Sequence, residues 1–252
     1  DKRINQDILI PYHLDMGATV GQVVTVELTE YPSSHASPMG KIVEILGNYA
    51  DSGMEIEIAL RKHHLPHQFS PAAVQQAEQF PKKVQPKDYK GRKDLRDLPL
   101  ITIDGETARD FDDAVFAEPQ GKGWRLVVAI ADVSFYVQPG DALDKEAFDR
   151  GNSVYFPRRV IPMLPEALSN GLCSLNPDVE PLCMVCDMQI DGLGVVKNYQ
   201  FYPSVMLSKA RMTYTKVHAL LQGEDAALLE EYAWLMPHLQ HLNSVFRLML
   251  TQ

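Results

Sequence analysis

Apolar and polar residues alternate through the first quarter of the chain. Four short runs, Ile8–Ile10, Gln22–Leu28, Lys41–Leu46 and Met54–Leu60, place apolar side chains at about every second position, the pattern of half-buried antiparallel strands. Clusters of Gly, Pro, Ser and Asn between them, such as Tyr31–Pro38, supply turns. Four or five short strands between Asp7 and about Leu65 predict a small β-barrel. Pro71–Phe80 then reads as a short helix with proline at its start, where a missing N–H does no harm. Beyond Asp97 the pattern changes to longer apolar runs, Leu98–Ile103 and Leu126–Ala131, which predict buried strands. Asp141–Arg150 predicts a helix ended by Gly151, and Leu182–Ile190 and Val195–Met206 predict two more strands. From about Asp225 to Leu250 the spacing is helical, with Leu239, Leu242, Val245, Phe246 and Met249 on one apolar face and Pro237 interrupting it upstream. Nothing in the sequence covers that face, so it is expected to lie open and promote self-association.

Composition narrows the class. At 252 residues with 45% hydrophobic and 23% charged content, the chain has the makings of an ordinary globular protein of two domains. No apolar run is long enough to span a bilayer. The first residues lack the layout of a signal peptide and begin without methionine, so the chain reads as a piece of a longer polypeptide. Three cysteines, Cys173, Cys183 and Cys186, argue for a reducing compartment over a disulfide framework. Cys183 and Cys186 fall on a strand, three residues apart and so on opposite faces, which favours packed thiols over half a zinc site. The histidines of His63–His67 and His238–His241 show no convincing ligand set. The net charge of −9 is unusual for a protein that binds a polyanion. It is locally reversed between Pro81 and Asp97, where lysines and arginines outnumber aspartates in a stretch that reads as a connector able to touch phosphates.

The candidate chemistry lies in Ile103–Val115, where Asp104, Asp110, Asp112 and Asp113 fall within ten residues. Single aspartates in such loops ordinarily build turns and face water. Four together repel one another and are costly to bury unless a cation neutralises them. Mg²⁺ suits the set, because it takes oxygen ligands from one or two carboxylates and completes its shell with water and substrate phosphates. Apolar strands on both sides give the loop the rigid anchoring that a metal site needs.

The string Asp97–Val115 resembles the catalytic signature of the ribonuclease II/ribonuclease R family of 3′-to-5′ exoribonucleases. Val128–Ser134, Ser153–Pro157, Ile161–Pro165 and Leu168–Pro177 are similar to that family in order and spacing. The resemblance implies an α+β chain: an OB-fold barrel of the cold-shock type over 1–70, a helical and basic linker over 71–97, and the N-terminal part of a mixed α/β RNB catalytic domain over 98–252. It implies Mg²⁺-dependent hydrolysis of single-stranded RNA from its 3′ end, releasing nucleoside 5′-monophosphates; the cysteine usage points to the cytoplasm, the apolar runs to no membrane, and no obligate protein partner is evident. The family's acidic positions fall on Asp104, Asp110, Asp112 and Asp113. Asp112 is the activity-critical carboxylate by that analogy, and Asp104, Asp110 and Asp113 are the metal ligands. Tyr155 matches a position that packs on the terminal nucleotide, and Tyr214 one near the substrate ribose. Stacking tolerates any base, which suits a sequence-tolerant nuclease. The barrel is poor in aromatics, Tyr12 and Tyr31 being the main ones, which argues against base stacking by it. The family's phosphate-clamping arginine motif has no counterpart before Gln252. The chain is therefore expected to hold half of a catalytic domain and to be a weak or inactive nuclease alone.

Two other readings compete. Asp110-Phe-Asp112 resembles the paired aspartates of haloacid-dehalogenase-like phosphatases, but that fold wants an apolar strand directly before the first aspartate, and Glu106–Arg109 is not one. The other is a non-catalytic RNA-binding module whose aspartates only build turns.

Overall fold

The computed structural model describes residues 6–33 and 36–251. Asp1–Asn5, whose residues lack a signal-peptide layout, Ser34 and His35 of the expected Tyr31–Pro38 turn, and Gln252 lie outside the described residues. The chain divides into two compact units, one formed by residues 1–68 with the hairpin 154–161, the other by 69–153 and 162–252.

In the first unit β1 (Gln22–Glu30) pairs antiparallel with β2 (Met39–Asn48), as alternation predicts, with irregularities that bend the ladder. Ile8–Ile10 contributes a single bridge, from Leu9 to Met39. The strand expected over Met54–Leu60 is instead a helix, α1 (Met54–Lys62). Its sequence alternates, but it is built of strong helix formers with Glu55 and Glu57 in the first turn and Arg61 and Lys62 in the last, which complements the helix dipole. Arg61 also ties Glu57, one turn back, to Glu44 on β2, an interaction available only to the helix. The hairpin of β7 (Val154–Phe156) and β8 (Arg159–Ile161) belongs to this unit, and Arg159 pairs with Glu57.

The second unit is built on a seven-stranded mixed sheet. Its strands are β3 (Lys93–Leu95), β4 (Ile101–Asp104), β5 (Asp113–Gln120), β6 (Gly123–Ala131), β9 (Leu182–Ile190), β10 (Val196–Met206) and β11 (Ala210–Thr213). They lie in the order β11-β4-β5-β6-β9-β10-β3, antiparallel in the middle and parallel at both outer pairs. Apolar side chains on both faces of the central strands need cover on both faces. On one side Phe116, Val127, Ala129 and Val185 pack with Ala73 and Ala77 of α2 (Pro71–Glu78), Leu143 of α4 (Ala142–Arg150) and Leu168 and Leu172 of a π-type turn. A one-turn helix, α3 (Val133–Tyr136), follows β6 on this side and adds Tyr136. On the other side Ile101, Met212 and Ala117 pack with α5 (Tyr214–Gln222), α6 (Ala226–Glu231) and α7 (Met236–Leu250).

Both helices expected between Ser70 and Gly151 are present and capped: the Ser70 hydroxyl accepts from Ala73 N–H, and the Asp141 carboxylate from Asp144 N–H. Further expectations are corrected. The apolar face of the last helix is not open as a whole, because Leu239 and Val245 are buried against the sheet. Phe246 and Met249 alone of the five are exposed, and Pro237 starts α7 instead of interrupting a longer helix. The basic stretch is also more than a solvated connector. It supplies the edge strand β3, and Arg96 pairs with Asp94 and Glu180 while Arg92 pairs with Asp132. Cys173 and Cys183 are buried free thiols and Cys186 is partly buried, in line with packed cysteines. Among the described residues no helix is long and apolar enough to cross a membrane.

Candidate active site

β4 ends at Asp104, β5 begins at Asp113, and the irregular loop between them carries Asp110 and Asp112. Two backbone bonds fix its far end: Ala131 N–H donates to Asp112 O over 2.9 Å, and Leu175 N–H to Phe111 O over 2.8 Å. The Phe111 N–H donates to the buried Ser174 hydroxyl over 2.9 Å. Phe111 itself is fully buried between the two flanking aspartates of the motif. At the near end Ala108 N–H closes a turn onto Gly105 O. Arg211 of β11 donates to Ala108 O over 2.9 Å, with its guanidinium 4.4 Å from the centre of the Phe111 ring.

The carboxylates feel one another. Burial pushes the Asp104 carboxyl up from its ordinary value, and Asp113, Asp112 and Asp110 push it further, with Arg211 opposing them. Asp112 is raised as well, first by the atoms crowding it and then by Asp110 and Asp113, although its side chain still reaches solvent. Asp104 Oδ2 is buried and has no hydrogen-bond partner. A buried, unpartnered carboxylate oxygen amid like charges is what a cation would relieve, so these residues fit a hard divalent ion. Among the described residues, however, no three acidic, histidine or cysteine side chains are arranged to hold a metal by themselves. An ion that keeps several waters and takes substrate oxygens does not require a finished protein cage.

Tyr214 is brought to the same edge. It opens α5 directly after Thr213, which pairs with Asp104 in the parallel register of β11 and β4, and its side chain is 63% exposed. Glu106 reinforces the connection through a hydrogen bond from the Thr215 hydroxyl. Tyr155 lies on β7 of the first unit, 65% exposed. Asp110 follows irregular backbone and no strand, which removes the structural basis of the phosphatase reading. Sequence reasoning did not single out Ser174 and Arg211, although Ser174 lies within Leu168–Pro177 and Arg211 three residues before Tyr214. Neither residue type announces a role until the fold places it on Phe111.

The raised carboxyls make a prediction. In the folded chain Asp104 and Asp112 hold their protons to higher pH than in the unfolded chain, so folding takes up protons. The contribution of these two groups to the stability of the metal-free protein is therefore unfavourable at neutrality, becomes less so as pH falls through the raised folded values, and levels off below the unfolded value of about 4. Asp104→Asn with Asp112→Asn should raise the melting temperature in EDTA at neutral pH, by a margin that shrinks on acidification. A margin independent of pH in paired melts would contradict the assignment.

Residues 92–250 match the RNB domain and residues 1–70 the Cold shock domain. The chain is 54% identical over 250 residues to ribonuclease R of Vibrio cholerae, an alignment covering 99% of this chain and 30% of that protein. It is equally 54% identical to ribonuclease R of Escherichia coli, covering 99% and 31%. The solved structure of Mycoplasma genitalium RNase R in complex with double-stranded RNA superposes with a TM-score of 0.89 at 26% identity, over 98% of this chain and 44% of that one. The chain spans about three tenths of the length of these two curated relatives. With the RNB model matched across more than half of its residues, on a sheet that carries the four aspartates at the β4–β5 junction, the chain belongs to the RNB-domain family.

Proposed function

We propose that this chain carries the acidic half of the active site of a Mg²⁺-dependent, hydrolytic 3′-to-5′ exoribonuclease that releases nucleoside 5′-monophosphates in the cytoplasm. The observation that carries the reading is a buried, unpartnered oxygen on Asp104, whose carboxyl is pushed up by burial and by the neighbouring aspartates, beside an Asp112 raised in the same way, in a chain so close to ribonuclease R. Three free cysteines support a reducing compartment.

Asp104, Asp113 and Asp110 would hold Mg²⁺, which supplies charge to neutralise the scissile phosphate and to acidify water. Asp112, open to solvent on one side and pinned through its carbonyl by Ala131, orients the attacking water by accepting its hydrogen bond. Tyr214 borders the terminal ribose, and Tyr155 offers an exposed ring to a base. The loop provides negative charge and positioning, with Arg211 as the cation set against Asp104. The expectation is that the 252-residue chain, which spans about three tenths of its relatives' length, is a weaker nuclease than a polypeptide of that length. The test compares both on 3′-labelled and 5′-labelled RNA with Mg²⁺ and with EDTA. Stepwise release of mononucleotides from the 3′ end, lost in EDTA, is expected of the long form. Internal cuts, or turnover indifferent to EDTA, would overturn the reading.

A further inference from the structure

We propose that Arg211 is a positioning residue: it pins the aspartate loop in the shape its carboxylates need to share one divalent ion. The inference rests on the metal reading above for the ion but on the geometry of this loop for the residue.

The loop from Gly105 to Asp112 has no regular structure, so tertiary bonds must hold it. At its far end Phe111 and Asp112 are bonded through three backbone groups to Ser174, Leu175 and Ala131. Nearer its start Glu106 accepts from the Thr215 hydroxyl, and Ala108 is held by Arg211. That side chain starts from β11, where Arg211 pairs in register with Thr102 on β4, two residues before Asp104. Its guanidinium then reaches across the loop, donates to Ala108 O and lies against the ring of Phe111. It thus joins β11, the neighbour of the strand that presents Asp104, to the segment that presents Asp110 and Asp112. Its charge also opposes the repulsion on Asp104.

Both contacts use properties that lysine lacks. A planar guanidinium can face an aromatic ring and donate in its own plane at once, whereas an ammonium is a compact point charge. Arg211→Lys therefore separates a clamp from a counter-charge. In the metal-free 252-residue chain, amide hydrogen exchange across Gly105–Asp112 should rise several-fold in both Arg211→Lys and Arg211→Met, with exchange in β6 and β9 unchanged as the control for folding. Mn²⁺ uptake, followed by electron paramagnetic resonance as a stand-in for Mg²⁺, should weaken about 10–100-fold in both, the usual loss when a group that orients a ligand is removed. If Arg211→Lys matches wild type in exchange and uptake, Arg211 is at most a counter-charge and the inference fails, whether or not Arg211→Met is impaired. A wild-type chain that takes up no Mn²⁺ overturns the metal reading, and this inference with it. Normal uptake by wild type and Arg211→Lys alike overturns this inference alone.

Discussion

Asparagine at Asp112 should lower RNA hydrolysis about 10²–10³-fold while RNA affinity persists or tightens. That range is typical when one preorganised electrostatic group is removed from a reacting centre. The swap keeps size and shape, and the backbone there is held by Ala131 N–H to Asp112 O, so the loop has no reason to move. What is lost is a charge, raised in pKa by its surroundings and therefore held at a cost. Removing that charge also reduces repulsion of the phosphate backbone, which is why binding should not suffer. Single-turnover hydrolysis and equilibrium RNA binding by wild type and Asp112→Asn, in a polypeptide of the relatives' length, check both halves. Near-normal turnover would show that Asp112 is not the essential carboxylate.

Much of this was legible in the sequence because it depends on local pattern. The strands β4, β6 and β9 announce themselves by apolar runs, and α2 and α4 by a first-turn proline or a closing glycine. The aspartate cluster is visible for a different reason: four carboxylates so close cannot be a neutral accident of folding. What failed was decided by distant partners. Met54–Leu60 alternates like a strand, and only the reach of Arg61 to Glu44, 17 residues away, shows why the helix wins. The stretch from Pro81 to Asp97 looks like phosphate-binding surface, yet Arg92 and Arg96 are committed to carboxylates 40 and 84 residues further on. Net charge in a segment says little about available charge once its partners are known.

The most consequential of those hidden partnerships is Arg92 with Asp132, and breaking it by Arg92→Met should cost about 3–5 kcal/mol of stability. The pair is buried, the side chains 9% and 4% exposed, with Arg92 Nη2 donating to Asp132 over 2.6 Å. Asp132 also accepts from the Ser134 hydroxyl over 2.7 Å, but one neutral donor does not balance a buried carboxylate. The expected loss is mostly the penalty of leaving that charge unpaired, not the worth of the pair itself. A double replacement, Arg92→Met with Asp132→Asn, should therefore recover a good part of it. Urea melts of the single and double variants measure both quantities; a single-variant loss below about 1 kcal/mol would show that Asp132 finds water instead. The effect should also reach the aspartates. Asp132 follows Ala131, the residue whose N–H holds Asp112, and its own N–H is bonded to Leu182 O on the neighbouring strand. The ion pair thus secures the end of β6 against which the aspartate loop is laid, and a chain that loses it should lose protection at the Ala131 amide before the centre of the sheet opens.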